Sequence, residues 1–143
     1  MNGPAILYPM FALAGLTLLV QALIPIARIR SGPRGEIRTG DFKYGESATV
    51  PPKVSIPNRN YMNLLEFPVL LYVGCILAYV ATEVSAPMVM LAWAFVALRV
   101  VHSAIHLTYN RVLHRALTFA ASNVVLVFLW VQVAVYVSSH AGA

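Results

Sequence analysis

Three polar residues, Arg59, Asn63 and Glu66, begin a strongly apolar stretch of this 143-residue chain. Their spacing of i, i+4 and i+7 places them on one face of an α-helix. Guanidinium, amide and carboxylate groups held in such a row can bind a small charged molecule through charge-assisted hydrogen bonds. Because the apolar residues continue to Ala81, Glu66 is predicted to lie below a membrane surface, where its side chain must face protein or water.

A second polar stripe lies in the third apolar stretch, where Arg99, His102 and His106 are spaced i, i+3 and i+7. Arg99 falls near the middle of its stretch, where an unpaired arginine costs at least about 2.5 to 3.5 kcal/mol on insertion scales. We therefore predict an ion pair between Arg99 and Glu66, within one chain or between chains. The two histidines, one turn apart, could both bind one metal or haem, with Glu66 as a third ligand. A histidine pair on a polar stripe is more often hydrogen-bonded structure or a substrate contact.

Four apolar segments must position these side chains, each about 20 residues or longer, which is the length that crosses the hydrocarbon core. They are predicted as helical spans near residues 5–29, 60–81, 86–109 and 116–137. Residues 30–59 are rich in glycine and proline and are predicted as an irregular loop. Pro68 has no backbone N–H and is predicted to kink the second span beside Glu66. The fold class is therefore all-α, with residues 1–143 forming one integral-membrane four-helix domain.

The composition supports this class, because 59% of the residues are hydrophobic and 10% are charged. The net charge of +5 does not indicate nucleic-acid binding, since seven of the ten Lys and Arg residues lie between Arg28 and Arg59 in one connection. The single cysteine, Cys75, excludes a disulfide within the chain.

The distribution of basic residues also predicts the orientation in the membrane. The first and third connections carry basic residues, whereas the connection at residues 82–86 carries none. By the positive-inside rule, the first and third connections are cytoplasmic and both termini are non-cytoplasmic. Basic side chains from several span ends then meet at one cytoplasmic interface above Glu66: Arg28, Arg59, Arg111 and Arg115.

The motif Arg59-x3-Asn63-x2-Glu66 in the second span, together with Arg99-x2-His102 in the third, resembles the MAPEG family, the membrane-associated proteins in eicosanoid and glutathione metabolism. The resemblance extends over the whole chain in length and topology. It implies a homotrimer of four-helix protomers embedded in membrane lipids. Glutathione is then the co-substrate, bound between neighbouring subunits near the cytoplasmic face, and no metal ion is implied.

The resemblance also implies roles for individual residues. Arg59, Asn63 and Glu66 are then glutathione contacts, and Arg115 steadies the glutathione thiolate, with Arg111 as the competing candidate. A guanidinium beside sulfur favours the thiolate, which is the nucleophilic form. Further contacts to glutathione are expected from the first and third spans: Arg28, His102, His106 and Tyr109.

The chain departs from the family pattern where hydroxyl groups are common. Tyrosines are usual in the family where this chain has Phe67, His106 and Phe119, and a serine is usual in place of Ala116. Two functions therefore stay open: a glutathione-dependent membrane transferase or peroxidase acting on a lipophilic electrophile, and a non-catalytic membrane scaffold or binding protein of the same fold. A small haem, metal or transport protein that uses Glu66 and the histidines is a third reading.

Overall fold

The computed structural model describes residues 3–81 and 83–140, and this part of the chain is helical without any strand. Two 3₁₀ helices precede the first two long helical segments, at Gly3–Leu7 and Thr39–Phe42. The α-helices in chain order are α1 (Tyr8–Ser31), α2 (Pro52–Leu65), α3 (Val69–Ala81), α4 (Ala86–Leu107) and α5 (Val112–His140).

Four helical segments are long and apolar enough to cross a membrane: Gly3–Ser31, Pro52–Ala81, Ala86–Leu107 and Val112–Ser139. The second segment consists of α2 and α3 in succession. The predicted all-α class with four spans is therefore confirmed. The chain termini, which the positive-inside rule places on the non-cytoplasmic side, include residues 1–2 and 141–143, and these lie outside the described residues.

Polar and apolar side chains are distributed as expected for a protein in lipid. Asn60, Arg99 and Ser122 have no exposed surface, whereas large apolar side chains such as Phe11 and Phe128 point outward and are more than half exposed. Apolar side chains that face outward can contact acyl chains at no cost, and polar groups inside the bundle avoid the costly contact with lipid. Together with the four apolar segments, this makes the chain an integral, multi-pass membrane protein.

The second span is broken beside Glu66, as the position of Pro68 predicts. Glu66 has backbone angles of φ −80° and ψ −96°, which end α2, and its N–H donates to the Met62 oxygen at 3.1 Å. The chain then turns through Phe67 and Pro68 before α3 begins. Because proline lacks an N–H and clashes with the preceding turn, the helical hydrogen bonds are interrupted here. Glu66 therefore lies at a bend and not within a continuous helix.

The loop before α2 is shorter than the sequence predicts. Helix α2 begins at Pro52, so that residues 52–59, the last part of the segment predicted as loop, are helical. Proline is favoured in the first turn of a helix, where its missing N–H would have no partner in any case. The proline content that suggested a loop thus marks a helix start, and the face that carries Arg59 extends further toward the N-terminus.

The helices enclose one apolar core. Helix α4 packs along α5, and α1 packs along α2. Side chains from several helices meet in the core with almost no exposed surface: Leu13, Leu71, Phe95, Leu126 and Leu129. This packing holds the end of α4 beside the start of α5, next to the bend at Glu66.

Gly74 on α3 allows α5 to approach closely. A Cβ added at Gly74 would lie 3.3 Å from Trp130 Nε1, an atom that donates a 3.1 Å hydrogen bond to the Leu70 oxygen. We expect Gly74→Leu to push α3 and α5 apart and to lower the free energy of unfolding by about 1–3 kcal/mol, the usual cost of overpacking. Thermal unfolding in detergent measures this. Gly15→Leu is the matched control, because a Cβ at Gly15 meets nothing within 4 Å; equal loss in both variants would contradict the prediction.

Candidate functional site

An open cavity of about 690 Å³ lies where α2 ends, α4 ends and α5 begins. This volume falls within the range of small-molecule sites, roughly 300–1,000 Å³. The end of the loop before α2 closes one side through Ala48 and Val50. The polar side chains that line the cavity are Ser55, Arg59, Asn63, Glu66, His102, His106, Asn110 and Arg115.

The cavity brings together most of the residues predicted for a site. Helix α2 supplies Arg59 and Asn63, one turn apart, and the bend supplies Glu66. The last turns of α4 supply the two histidines and the first turn of α5 supplies Arg115. Groups that are far apart in the sequence thus line one cavity because α2, α4 and α5 meet at the same end of the bundle.

Three predicted site residues lie outside this cavity in the protomer. The Arg28 guanidinium, at the end of α1, stacks over the Phe42 ring at 4.1 Å. The Tyr109 hydroxyl lies 3.0 Å from His114 Nδ1. Arg111 is exposed to solvent. Of the two arginines considered for the thiolate, Arg115 is therefore the one that lines the cavity.

Arg99 bonds to Asn63 and not to Glu66. Its Nη2 donates to the Asn63 backbone oxygen at 3.1 Å and to the Asn63 side-chain oxygen. The predicted ion pair between Arg99 and Glu66 is therefore wrong within the protomer. The prediction looked for a carboxylate, the only one in the predicted spans being Glu66, whereas two neutral oxygens of Asn63, one turn earlier on α2, accept from the guanidinium.

The Glu66 carboxylate has no ion-pair partner among residues 3–81 and 83–140, where the one ion pair joins Lys53 Nζ and Glu36 Oε1 at 2.6 Å. Glu66 is exposed at the cavity wall. A carboxylate without a cation of its own, set beside Arg59 and Arg115, is free to accept hydrogen bonds from a ligand that carries an ammonium group.

Arg115 is held in place by the turn between α4 and α5. Its Nη1 donates to the Asn110 side-chain oxygen at 2.6 Å, and Asn110 has a positive φ of 50°, in the left-handed region that asparagine tolerates. The Asn110 N–H donates to the Ile105 oxygen at 2.8 Å and so closes the turn. In the described chain Arg115 Nε has no hydrogen-bond partner. Asn110 thus fixes the orientation of the Arg115 guanidinium at the cavity.

The two histidines form a pair on the cavity wall, with ring centroids 5.9 Å apart and the rings inclined at 65°. Both are buried, with 4% and 5% of their surface exposed. His102 Nδ1 lies 3.1 Å from the Arg115 backbone oxygen and 3.3 Å from Thr118 Oγ1. His102 Nε2 and His106 Nδ1 are buried without a hydrogen-bond partner in the described residues. Both rings therefore present an unused nitrogen.

Metal ligands do not converge in this part of the chain. Within the described residues, no group of three or more His, Cys, Asp or Glu side chains could hold a metal ion. The two imidazoles by themselves are fewer ligands than the three or four that are typical of protein zinc sites.

Sequence reasoning missed the residues that α2 contributes before Arg59. Ser55 and Ile56 line the cavity one turn earlier on the same face. The spacing from Ser55 to Arg59 continues the i, i+4 pattern, so that the signal was present. It was not used because the proline-rich segment was predicted as a loop.

The positions without the usual hydroxyl groups lie at or beside the cavity. Ala116 and Phe119 line it, and the Phe119 ring packs against Phe67 at 6.0 Å and lies 5.7 Å from the Arg99 guanidinium carbon. The α5 wall is therefore apolar next to Arg115. Ser55 on α2 is the hydroxyl-bearing side chain among the described cavity residues.

Comparison with known protein families agrees with this architecture. The model of the MAPEG family matches residues 6–135 of the 143-residue chain. No curated protein and no solved structure shows significant similarity to this chain. The family comprises membrane proteins of four-helix architecture linked to glutathione and eicosanoid metabolism, and its members generally use glutathione. Since the match spans nearly the whole chain and the four apolar helices agree with it, the chain belongs to the MAPEG family.

Proposed function

We propose that this protein is a glutathione-dependent integral-membrane transferase or peroxidase that acts on a lipophilic electrophile. The observation that carries the proposal is the cavity itself, which gathers two arginines, an unpaired carboxylate and two histidines at one end of the bundle. Membership of the family supports glutathione as the thiol substrate, because members generally use glutathione.

The charges of the cavity complement those of glutathione. Glutathione carries two carboxylates, one ammonium group and a thiol. In the proposed complex Arg59 binds a carboxylate, Glu66 binds the ammonium group and Asn63 donates to the peptide. Arg99 lies behind Asn63 and adds positive charge close to the cavity. An excess of cations in a partly enclosed site attracts an anionic ligand.

The chemistry is assigned to Arg115. A guanidinium next to the thiol stabilises the thiolate and raises the fraction of the nucleophilic form at neutral pH. Holding thiolate and electrophile together then replaces an encounter in solution by a reaction between bound partners. The apolar side chains of Val112, Ala116 and Phe119 on the same wall offer a surface for a lipophilic second substrate.

The assembly and the orientation belong to the same proposal. In a homotrimer with glutathione between neighbouring subunits, Arg28, Arg111 and Tyr109 would reach a ligand in the cavity of an adjacent protomer. The thiol would arrive from the cytoplasm, where the first and third connections are predicted to lie, and the electrophile would arrive from the bilayer.

Calorimetric titration of glutathione into the purified protein tests the binding step. We expect Arg59→Ala to weaken glutathione binding about 10- to 100-fold, because a hydrogen bond to a charged group contributes about 1.5–3 kcal/mol. Arg34→Ala is the matched control, since Arg34 is exposed and does not line the cavity. No glutathione binding by the wild-type protein in any lipid would remove the proposal.

A non-catalytic binding protein of the same fold is the second candidate, and the apolar wall formed by Ala116 and Phe119 favours it. Without hydroxyl donors beside the sulfur, glutathione could bind and not react. Conjugation of a chlorinated nitrobenzene separates the two candidates: the enzyme turns over thiol, and the binding protein retains glutathione affinity with no turnover.

A further inference from the structure

His102 is held in one orientation and one tautomer by its hydrogen-bond partners on α5. Its Nδ1 lies 3.1 Å from the Arg115 backbone oxygen, which can only accept a hydrogen bond. The Thr118 hydroxyl near the same nitrogen donates to the backbone oxygens of His114 and Arg115 at 3.0 Å each, which leaves its oxygen as an acceptor. The Arg115 oxygen requires the proton on Nδ1, and the Thr118 hydroxyl oxygen can accept from the same N–H. The lone pair of the neutral ring is therefore on Nε2.

The imidazole that carries this free lone pair, on His102 Nε2, is part of the cavity wall. His102 lines the cavity, 4% of its surface is exposed, and Nε2 has no hydrogen-bond partner among the described residues. A buried polar atom is normally satisfied, so an unpartnered one next to a cavity points to a ligand. The atom that fits Nε2 must be a hydrogen-bond donor, because Nε2 can only accept.

Arg115 contacts His102 through its backbone and lines the same cavity with its side chain. Its backbone oxygen orients the imidazole, and its guanidinium lines the same cavity. A base fixed by a hydrogen bond on one nitrogen, beside a cation that stabilises the anion produced, is the arrangement that activates a nucleophile.

We propose that His102 is the general base that takes the proton from the thiol bound in this cavity. This inference rests on the proposed glutathione chemistry and adds a catalytic residue to it. The S–H bond breaks and its proton forms an N–H bond at Nε2, which leaves a thiolate beside Arg115. With a chlorinated nitrobenzene, sulfur then bonds to the ring carbon, chloride leaves with the electron pair, and the imidazolium releases its proton to water.

Two substitutions of His102 distinguish a role as a base from a role in packing and hydrogen bonding. His102→Asn places an amide N–H near the position of Nδ1, which retains the hydrogen bond to the Arg115 oxygen, and it has no basic nitrogen. His102→Gln reaches the position of Nε2 with an amide, which is not basic either. His114→Asn is the matched control, because His114 lies outside the cavity.

The expected result is a loss of kcat for conjugation by about 10²- to 10⁴-fold in His102→Asn at neutral pH, the usual range for general acid–base catalysis. The loss shrinks as the pH is raised toward the usual thiol pKa of about 8.5, because solvent then removes the proton. In His102→Asn, the thiolate absorbance that appears on mixing with glutathione is expected to appear at higher pH than in the wild type. Binding of S-methylglutathione, which has no thiol proton, is expected to stay within about threefold of wild type.

Other titratable and charged groups surround His102 and must be distinguished from it in the pH profile. They are Arg99 and His106 on α4, Arg115 on α5, and Arg59 and Glu66 on the facing wall. His106→Asn is therefore measured alongside, and the proposal predicts that its pH profile retains the wild-type shape.

The outcomes are decisive in each case. An unchanged kcat and pH profile in His102→Asn overturns the base role and leaves the proposed function intact. Equal loss of glutathione and S-methylglutathione binding with normal kcat makes His102 a peptide contact, and failure of both variants to fold makes it structural; either overturns the proposal. No glutathione binding by the wild-type protein overturns the proposed function as well.

Discussion

Replacing Arg115 by alanine is expected to lower kcat for glutathione conjugation about 10²- to 10³-fold. Removing one preorganised donor from an anion in a site shielded from water typically has an effect of this size. Arg115 is anchored through Asn110 at 2.6 Å and lines the cavity. Its loss leaves the thiolate without a guanidinium from the same protomer, and a smaller fraction of the bound thiol is ionised. Steady-state conjugation of a chlorinated nitrobenzene in detergent, with saturating glutathione, measures the change.

Arg111→Ala provides the comparison, because the two arginines are close in the sequence and differ in position. Arg111 is exposed and does not line the cavity of its own protomer. We expect Arg111→Ala to lower kcat by less than Arg115→Ala does, by a factor of at least ten. The reverse order of effects would assign the thiolate to Arg111 and would contradict the role proposed for Arg115.

Replacing Asn63 by leucine is expected to lower the free energy of unfolding by about 1.5–3 kcal/mol, the contribution of a hydrogen bond to a charged group. Arg99 has no exposed surface, its Nε and Nη1 have no hydrogen-bond partner in the described chain, and Asn63 accepts from its Nη2. Asn63→Leu therefore leaves a buried guanidinium with one acceptor fewer. Reversible unfolding of the ligand-free protein in mixed micelles measures the loss.

The double variant Asn63→Leu/Arg99→Met isolates this contact. Methionine fills a similar volume and removes the buried charge, so that no unpaired cation remains. We expect the double variant to recover most of the stability lost in Asn63→Leu, with a coupling of about 0.5–3 kcal/mol in the double-mutant cycle. Additive losses in the two single variants would show that Arg99 depends on a partner other than Asn63.

Much of the fold follows from the sequence, because it depends on one-dimensional patterns. The lengths of the apolar segments determine the number of spans, and Pro68 determines the position of the bend. The start of α2 does not follow, because Pro51 and Pro52 fit both a loop and a first helical turn. Which of these forms depends on packing against α1, and that contact is not encoded in a local pattern.

The candidate site is predictable to the level of helix faces. The i, i+4, i+7 spacing identifies Arg59, Asn63 and Glu66, and all three line the cavity. The predicted partner of Arg99 was wrong within the protomer, because charge alone suggested a carboxylate, and the neutral oxygens of Asn63 on the same stripe accept from the guanidinium instead. The tautomer of His102 could not be predicted from the sequence either, since the Arg115 oxygen that determines it lies on another helix.

A structure of the protein in lipid with glutathione bound tests the proposed site directly. We expect glutathione in the cavity between α2, α4 and α5, with its ammonium group at hydrogen-bonding distance from Glu66 and its sulfur facing Arg115. Glutathione bound elsewhere, or a Glu66 side chain that faces acyl chains while Arg59 and Arg115 lie on separate surfaces, would contradict it.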